Sequence, residues 1–363
     1  MSSSQKPVTP AVNRLLPDSP QAAALTQSWR DLHWLLHSPA LLAPGFSATY
    51  PPAVFPEYCL QQIKQWMEQE QEHPATLNNR FEFQFRRLGL YAEKLLKTGL
   101  EQCADIQLLL DHFPIHLEQA QANSPKKSRQ TLGEVDFIWQ DRQSREIFHW
   151  ELAVKLYLYV PQSEAPELDQ EPHGQNEFHR LVGTQLKDTL YKKTQRLFTH
   201  QLLLASHPQI TQAIGNNVDH ACPYLRGWLF YPLQTQAWDS YLYPNKATMS
   251  QLNPAHNKGW WLRLPHFLAR LHQQPVTVRW AILPRLHWLS QAQVPQDQTL
   301  DAVQLQAKLE RHFTLSTPTE ASPTPRFPPE PLLLAALQES TRYPGCYEEI
   351  HRGFVSSQTW ARA

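Results

Sequence analysis

Asp136, Glu151 and Lys155 stand inside two stretches that otherwise read as buried strands, GEVDFIW and IFHWELAVKLYLYV, joined by the polar turn DRQSRE. Both stretches are rich in the β-branched and aromatic residues that suit a sheet. Burying a charge there is costly unless it is paired or holds a metal. Side chains alternate with period two, so Glu151, Ala153 and Lys155 share one face, and pairing of the strands sets Asp136 beside Glu151. Two carboxylates and an ammonium on one face suit a divalent cation held by oxygen ligands beside a scissile phosphate. A further acid, Glu93, borders the apolar stripe Leu88, Tyr91, Ala92, Leu95, Leu96 of a helix expected over Arg80–Leu100. Its plainer reading is a surface carboxylate paired with Lys97 at i+4.

The elements that must position these groups follow from periodicity. Helices are expected over Gln21–Leu36 and Tyr58–Gln71, and a short strand over Phe113–Leu117. After the Thr131–Tyr159 hairpin comes a long helix, Phe178–Ser206. It has a leucine side and a basic side of Lys187, Lys192, Lys193 and Arg196, with Gln185 near its start. A basic amphipathic helix beside such a site can guide a phosphate backbone, or simply be solvated. Tyr224–Tyr231 reads as a buried strand closed by Pro232. Helix, short strand, two long strands, helix, strand is the order of an α/β layer with a central sheet.

Beyond Leu233 the texture changes. Lys258–Leu264 and Val276–Leu289 read as strands, and Pro265–Gln273, Leu300–Phe313 and Leu332–Leu337 as helices. The expected organisation is a loose leader (1–20), a core with a helical N-terminal segment (21–235), an α+β C-terminal extension (236–315), and a proline-rich linker and tail (316–363). Asn123–Gln130 reads as a basic loop and Pro161–Gln175 as an exposed acidic one.

Lysine plus arginine equals aspartate plus glutamate, 33 each. Any nucleic-acid contact must therefore come from a local patch, not a general polyanion-binding surface. The four cysteines are scattered without a CxxC pair, so neither a zinc site nor a disulfide framework is expected, and a reduced compartment fits. No signal-peptide core and no run of about 18 apolar residues occurs, so a cytoplasmic protein without a membrane partner is expected. None of the 17 histidines has metal spacing, and His149 reads as structural, facing away from Glu151. Trp260, Trp261, Trp280 and Trp288 read as packing residues ahead of a base-stacking platform. Dinucleotide-binding, P-loop, GxSxG and HExxH patterns are absent.

Glu93, Asp136, Glu151 and Lys155, in this order of elements, resemble the PD-(D/E)XK nuclease superfamily. RRLGLYAEKLL, TLGEVDFIW, HWELAVKLYL, GWLFYP, the GWW at Gly259–Trp261 and WAILPRLHWL at Trp280–Leu289 resemble a bacterial family, domain of unknown function 1853, over roughly residues 20–315. The superfamily resemblance implies a restriction-endonuclease-like αβββαβ core with a mixed central sheet. It implies that Asp136 and Glu151 hold Mg²⁺ or Mn²⁺, with Glu93 on a ligand water or a second ion. Lys155 would activate the attacking water, and Gln185, Lys187, Lys192 and Lys193 would contact nucleic acid. One departure stands out: the superfamily spaces its last acid and lysine as ExK, whereas this chain reads E-L-A-V-K. Glu151 keeps its face but lies about 6–7 Å further along the strand, with Glu134 as a possible substitute acid. The expectation is a metal-dependent nuclease acting on DNA or RNA. The alternatives are an inactive nuclease-like module that binds nucleic acid or protein, and an internal ion-pair network.

Overall fold

The computed structural model describes residues 27–71, 85–118, 129–165, 176–314 and 329–361. In chain order its helices are α1 (Gln27–His37), α2 (Glu57–Gln71), α3 (Leu88–Glu101), α4 (Leu190–Arg196), α5 (Pro208–Ile214), α6 (Lys246–Gln251), α7 (Leu264–Leu271) and α8 (Ala302–Thr314). The strands are β1 (Ile106–Glu118), β2 (Arg129–Asp141), β3 (Ile147–Tyr159), β4 (Leu181–Val182), β5 (His220–Pro232), β6 (Asn257–Arg263), β7 (Arg279–Ile282), β8 (Gln293–Pro295), β9 (Leu332–Glu339) and β10 (Cys346–Ser356).

One mixed sheet of ten strands organises these elements, in the order β1-β2-β3-β5-β6-β10-β9-β7, with β4 beside β3 and β8 beside β10. The middle strands β3, β5, β6 and β10 run parallel, and antiparallel pairs flank them. A parallel centre must be covered on both faces, and β3 is apolar on both. Trp150 and Leu152 enter a cluster with Trp29, Ile63, Leu95, Leu96 and Tyr224 beneath α1–α3. Ala153, Tyr157 and Tyr159 enter the opposite cluster with Leu190, Leu225, Leu229 and Tyr231. On α3 the buried set is Tyr91, Ala92, Leu95, Leu96, Gly99 and Leu100: the expected stripe continued by one turn, with its first member Leu88 only half-buried.

Several expectations are corrected. The long helix over Phe178–Ser206 is broken: a 3₁₀ turn (Phe178–Arg180), β4 and a loop precede α4. In that loop the Gly183 N–H donates to the Asp188 carbonyl, and Leu186 adopts φ +59°, so a continuous helix is closed off. Leu332–Leu337 is strand β9, not helix. An unbroken apolar run carries no period, and here it lies between β10 and β7. Within the expected tail, β9 and β10 thus join the sheet. Val276–Leu289 holds only the short β7 before a 3₁₀ turn at Arg285–His287. Phe113–Leu117 is part of the longer β1. The leader (1–20), residues 80–84, residues 123–128 of the basic loop and residues 166–175 of the acidic loop lie outside the described residues.

Cysteine use is also corrected. Cys59 of α2 and Cys103, just past α3, form a buried disulfide with their Cα atoms 5.3 Å apart. The two lie 44 residues apart, and packing of α2 against α3 brings them together, which no local spacing announces. Trp260, Trp261, Trp280 and Trp288 are all buried, as packing residues. Among the described residues no helix is long and apolar enough to cross a membrane.

Candidate active site

The site begins where two strands part. β2 pairs with β3 only from Gln140↔Ile147 to Phe137↔Trp150, whereas β2 stays paired with β1 well past that point. Asp136 and Glu151 are the next residues on the diverging strands. In the fork, Asp136 Oδ2 accepts the Leu152 N–H at 2.8 Å. The side chain supplies the acceptor that the departing strand withdraws, which a buried backbone donor requires. The fork opens into a cavity of about 550 Å³. Glu93 and Gly89 of α3 reach it from one side. Lys155, and Asp188, Lys192, Lys193, Arg196 and Gln201 from the segment after β4, line the rest.

Both fork acids are held well above the usual carboxylate range. For Asp136 the causes are burial first, then the like charges of Glu151 and Glu93. For Glu151 burial again dominates and Glu93 adds to it, while Lys193 and Arg196 oppose it. Burial also raises Glu93, partly offset by His112. Burial lowers Lys193, whose attraction to Glu151 and Asp136 works against that. The cavity therefore gathers three acids held above their ordinary values chiefly by burial, with Lys193 and Arg196 as partial counter-charge.

Glu151 is only 1% exposed. Its Oε1 accepts from the Gln201 amide, and Gln201 in turn accepts from Lys193 Nζ at 2.9 Å. Glu151 Oε2 has no hydrogen-bond partner among the described residues. His149 Nε2 lies 3.4 Å from it. This corrects the sequence reading of His149: residues two apart on a strand share a face, and the imidazole lies directly against Glu151. His149 is fully buried, and burial lowers its pKa to about 4, so the ring is neutral.

Lys155 Nζ donates to Asp188 Oδ2 at 2.6 Å, and the Tyr157 hydroxyl donates to the same oxygen at 3.0 Å. The backbone beneath Lys155 depends on a glycine. Gly227 of β5 pairs with Lys155 at φ +152°, and a Cβ there would lie 1.7 Å from the Lys155 carbonyl oxygen. Only glycine permits that approach.

Of the expected site residues, Glu93, Asp136, Glu151, Lys155, Lys192 and Lys193 all line the one cavity. Gln185 and Lys187 do not. They sit exposed in the turn before α4, not on a helix. Glu134 also lies outside the lining. It is half-exposed and contacts His112 Nδ1 at 3.3 Å, while His112 Nε2 lies 3.8 Å from Glu93. Asp188 and Gln201 are the residues that sequence reasoning missed. Asp188 looks like an ordinary acid ahead of a helix start. Gln201 is neutral and ends a π-helical turn, Leu197–Gln201. That wide turn shifts the phase of the following residues, a feature frequent at functional sites and invisible to a 3.6-residue period.

Residues 30–356 match the family described as Domain of unknown function (DUF1853), and the chain belongs to that family. No curated protein and no solved structure gives a significant match.

Proposed function

We propose that this protein is a divalent-cation-dependent phosphodiesterase acting on nucleic acid, built on a restriction-endonuclease-like core of the PD-(D/E)XK type. The order α3, β1, β2, β3, α4, β5 supports that core. One observation carries the functional reading: acids from three separate elements and a strand lysine converge in a single cavity.

The fit to a cation rests on the donor set. Among the described residues no three or more His, Cys, Asp or Glu side chains form a group able to hold a metal by themselves. Mg²⁺, however, commonly takes one or two carboxylates and fills its shell with waters and phosphate oxygens. Asp136 and Glu151 suit that partial shell. The buried Oε2 of Glu151, which accepts no hydrogen bond among the described residues, and the repulsion of Asp136 by Glu151 and Glu93 are what a cation would relieve. When bound, a divalent ion acidifies a water and offsets charge on phosphate oxygens.

The chain's own groups do the rest. Asp136 and Glu151 would hold the ion, and Glu93 would accept from a nearby water. Lys155 faces the same space, where its ammonium orients the attacking water and stabilises charge developing on the phosphate. Asp188 and Tyr157 fix the lysine's direction. Lys192, Lys193 and Arg196 meet the flanking phosphates. The long E-L-A-V-K spacing is compatible with this, since Glu151 and Lys155 line one cavity with Asp136.

Cleavage of end-labelled DNA and RNA in Mg²⁺ or Mn²⁺, for wild type, Glu151→Gln and Lys155→Met, tests the reading. Cation-dependent cleavage lost in both folded variants supports it. Wild-type inactivity with either cation on both polymers refutes catalysis. A second reading, a silent nuclease-like binding module, is favoured by the 2.6 Å Lys155–Asp188 pair, which already neutralises the ammonium. It predicts binding of nucleic acid without cleavage.

A further inference from the structure

Resting on the phosphodiesterase reading, we infer that the cavity takes a single nucleic-acid strand (a free end, a flap or an unpaired stretch) and not continuous duplex. Depth is the first reason. Charge is graded from mouth to floor: Lys192 and Arg196 are exposed, Lys155 is one-third exposed, the Glu93 side chain is 19% exposed, and Glu151 is 1% exposed. A reacting phosphate must descend past the cations to reach the acids. A duplex carries its phosphates on a stiff rod whose major groove alone is about 12 Å wide. Its stiffness opposes bending a single phosphate into a recess of about 550 Å³, a volume within the roughly 300–1,000 Å³ of small-molecule pockets. A lone strand can bend one phosphate inward.

The second reason is how few cations line the cavity among the described residues. Lys192, Lys193 and Arg196 do so, and Lys155 is engaged by Asp188. The whole chain has a formal net charge of +0. Proteins that track duplex commonly neutralise about 6–10 phosphates. Three contacts on a single strand predict a log–log salt slope of about −2.

The test uses the full-length Asp136→Asn variant in Ca²⁺, so that binding is read without turnover. The probes are a fluorescein-labelled 20-mer of DNA, the same 20-mer of RNA, its blunt duplex, and a hairpin with a single-stranded tail. The DNA and RNA arms report which polymer is taken. At least tenfold tighter binding of one single strand and the tailed hairpin than of the blunt duplex is expected. The salt slope should be near −2, and binding should weaken at least tenfold in Lys192→Ala/Arg196→Ala. Equal or tighter duplex binding, or a slope steeper than about −4, overturns the strand preference. If wild type nonetheless cleaves duplex, the phosphodiesterase reading survives that failure. Absence of binding to all four probes, together with wild type that cleaves none of them in Mg²⁺ or Mn²⁺, overturns both.

Discussion

Replacing Asp136 by asparagine should stabilise the protein in the absence of divalent cations. The carboxylate is disfavoured by burial and by Glu151 and Glu93, and asparagine removes the charge at nearly constant volume. Its amide oxygen can still accept the Leu152 N–H now bonded at 2.8 Å, so the fork keeps its closing hydrogen bond. Lys193 keeps Glu151 as a partner. The expected gain is about 1–3 kcal/mol, the order of an unfavourably buried polar group. That corresponds to a rise of roughly 2–6 °C in Tm for a chain of this size. The pH dependence has a definite sign. Acids whose folded pKa is raised contribute stability that is fully present below their unfolded values near 4. That contribution is lost as pH rises through the elevated folded values. Buried histidines such as His149, His256 and His351, lowered to about 4, act in the opposite direction. The informative quantity is therefore the difference between wild type and variant, in which they cancel. In EDTA the Asp136→Asn advantage should grow from pH 5 to pH 8, and in 10 mM Mg²⁺ it should shrink or reverse. Calorimetry at both pH values measures this. A variant melting below wild type in EDTA at pH 8 would refute the reasoning, because it would mean the carboxylate already has a sufficient partner within the protein.

Other outcomes follow from the same geometry. Gly227→Ala places a Cβ at least about 1.5 Å short of ordinary contact with the Lys155 carbonyl, and should destabilise by about 3 kcal/mol or more. A denaturant midpoint unchanged from wild type would contradict the close approach of β5 to β3. His149→Ala removes the neutral ring beside Glu151 Oε2 and should weaken Mn²⁺ binding by roughly 10–100-fold, the usual loss when a ligand's supporting partner is removed. His149→Gln should recover part of it. An unchanged Mn²⁺-induced shift in Tm would make the histidine a packing residue only.

Parts of this arrangement were readable because they are local. The α3 stripe, the alternation in β2 and β3, and the charges interrupting those strands are written in consecutive residues. They led to Glu93, Asp136, Glu151 and Lys155 in one cavity. What stayed hidden depends on distant or irregular structure. Gln201 reaches Glu151 through a π-helical turn, and Asp188 meets Lys155 only because a loop replaces the expected helix. The early end of the β2–β3 ladder, which creates the cavity, has no residue signature. Leu332–Leu337 could be placed as strand only by its neighbours β10 and β7. The Cys59–Cys103 bond required knowing how two helices pack.

Anomalous diffraction from crystals soaked in Mn²⁺ addresses the proposed site most directly. A peak within about 2.5 Å of both an Asp136 and a Glu151 carboxylate oxygen is predicted, with Glu93 reaching it through water. Full Mn²⁺ soaking without a peak in the fork, or a peak bound only by groups outside it, would contradict the account.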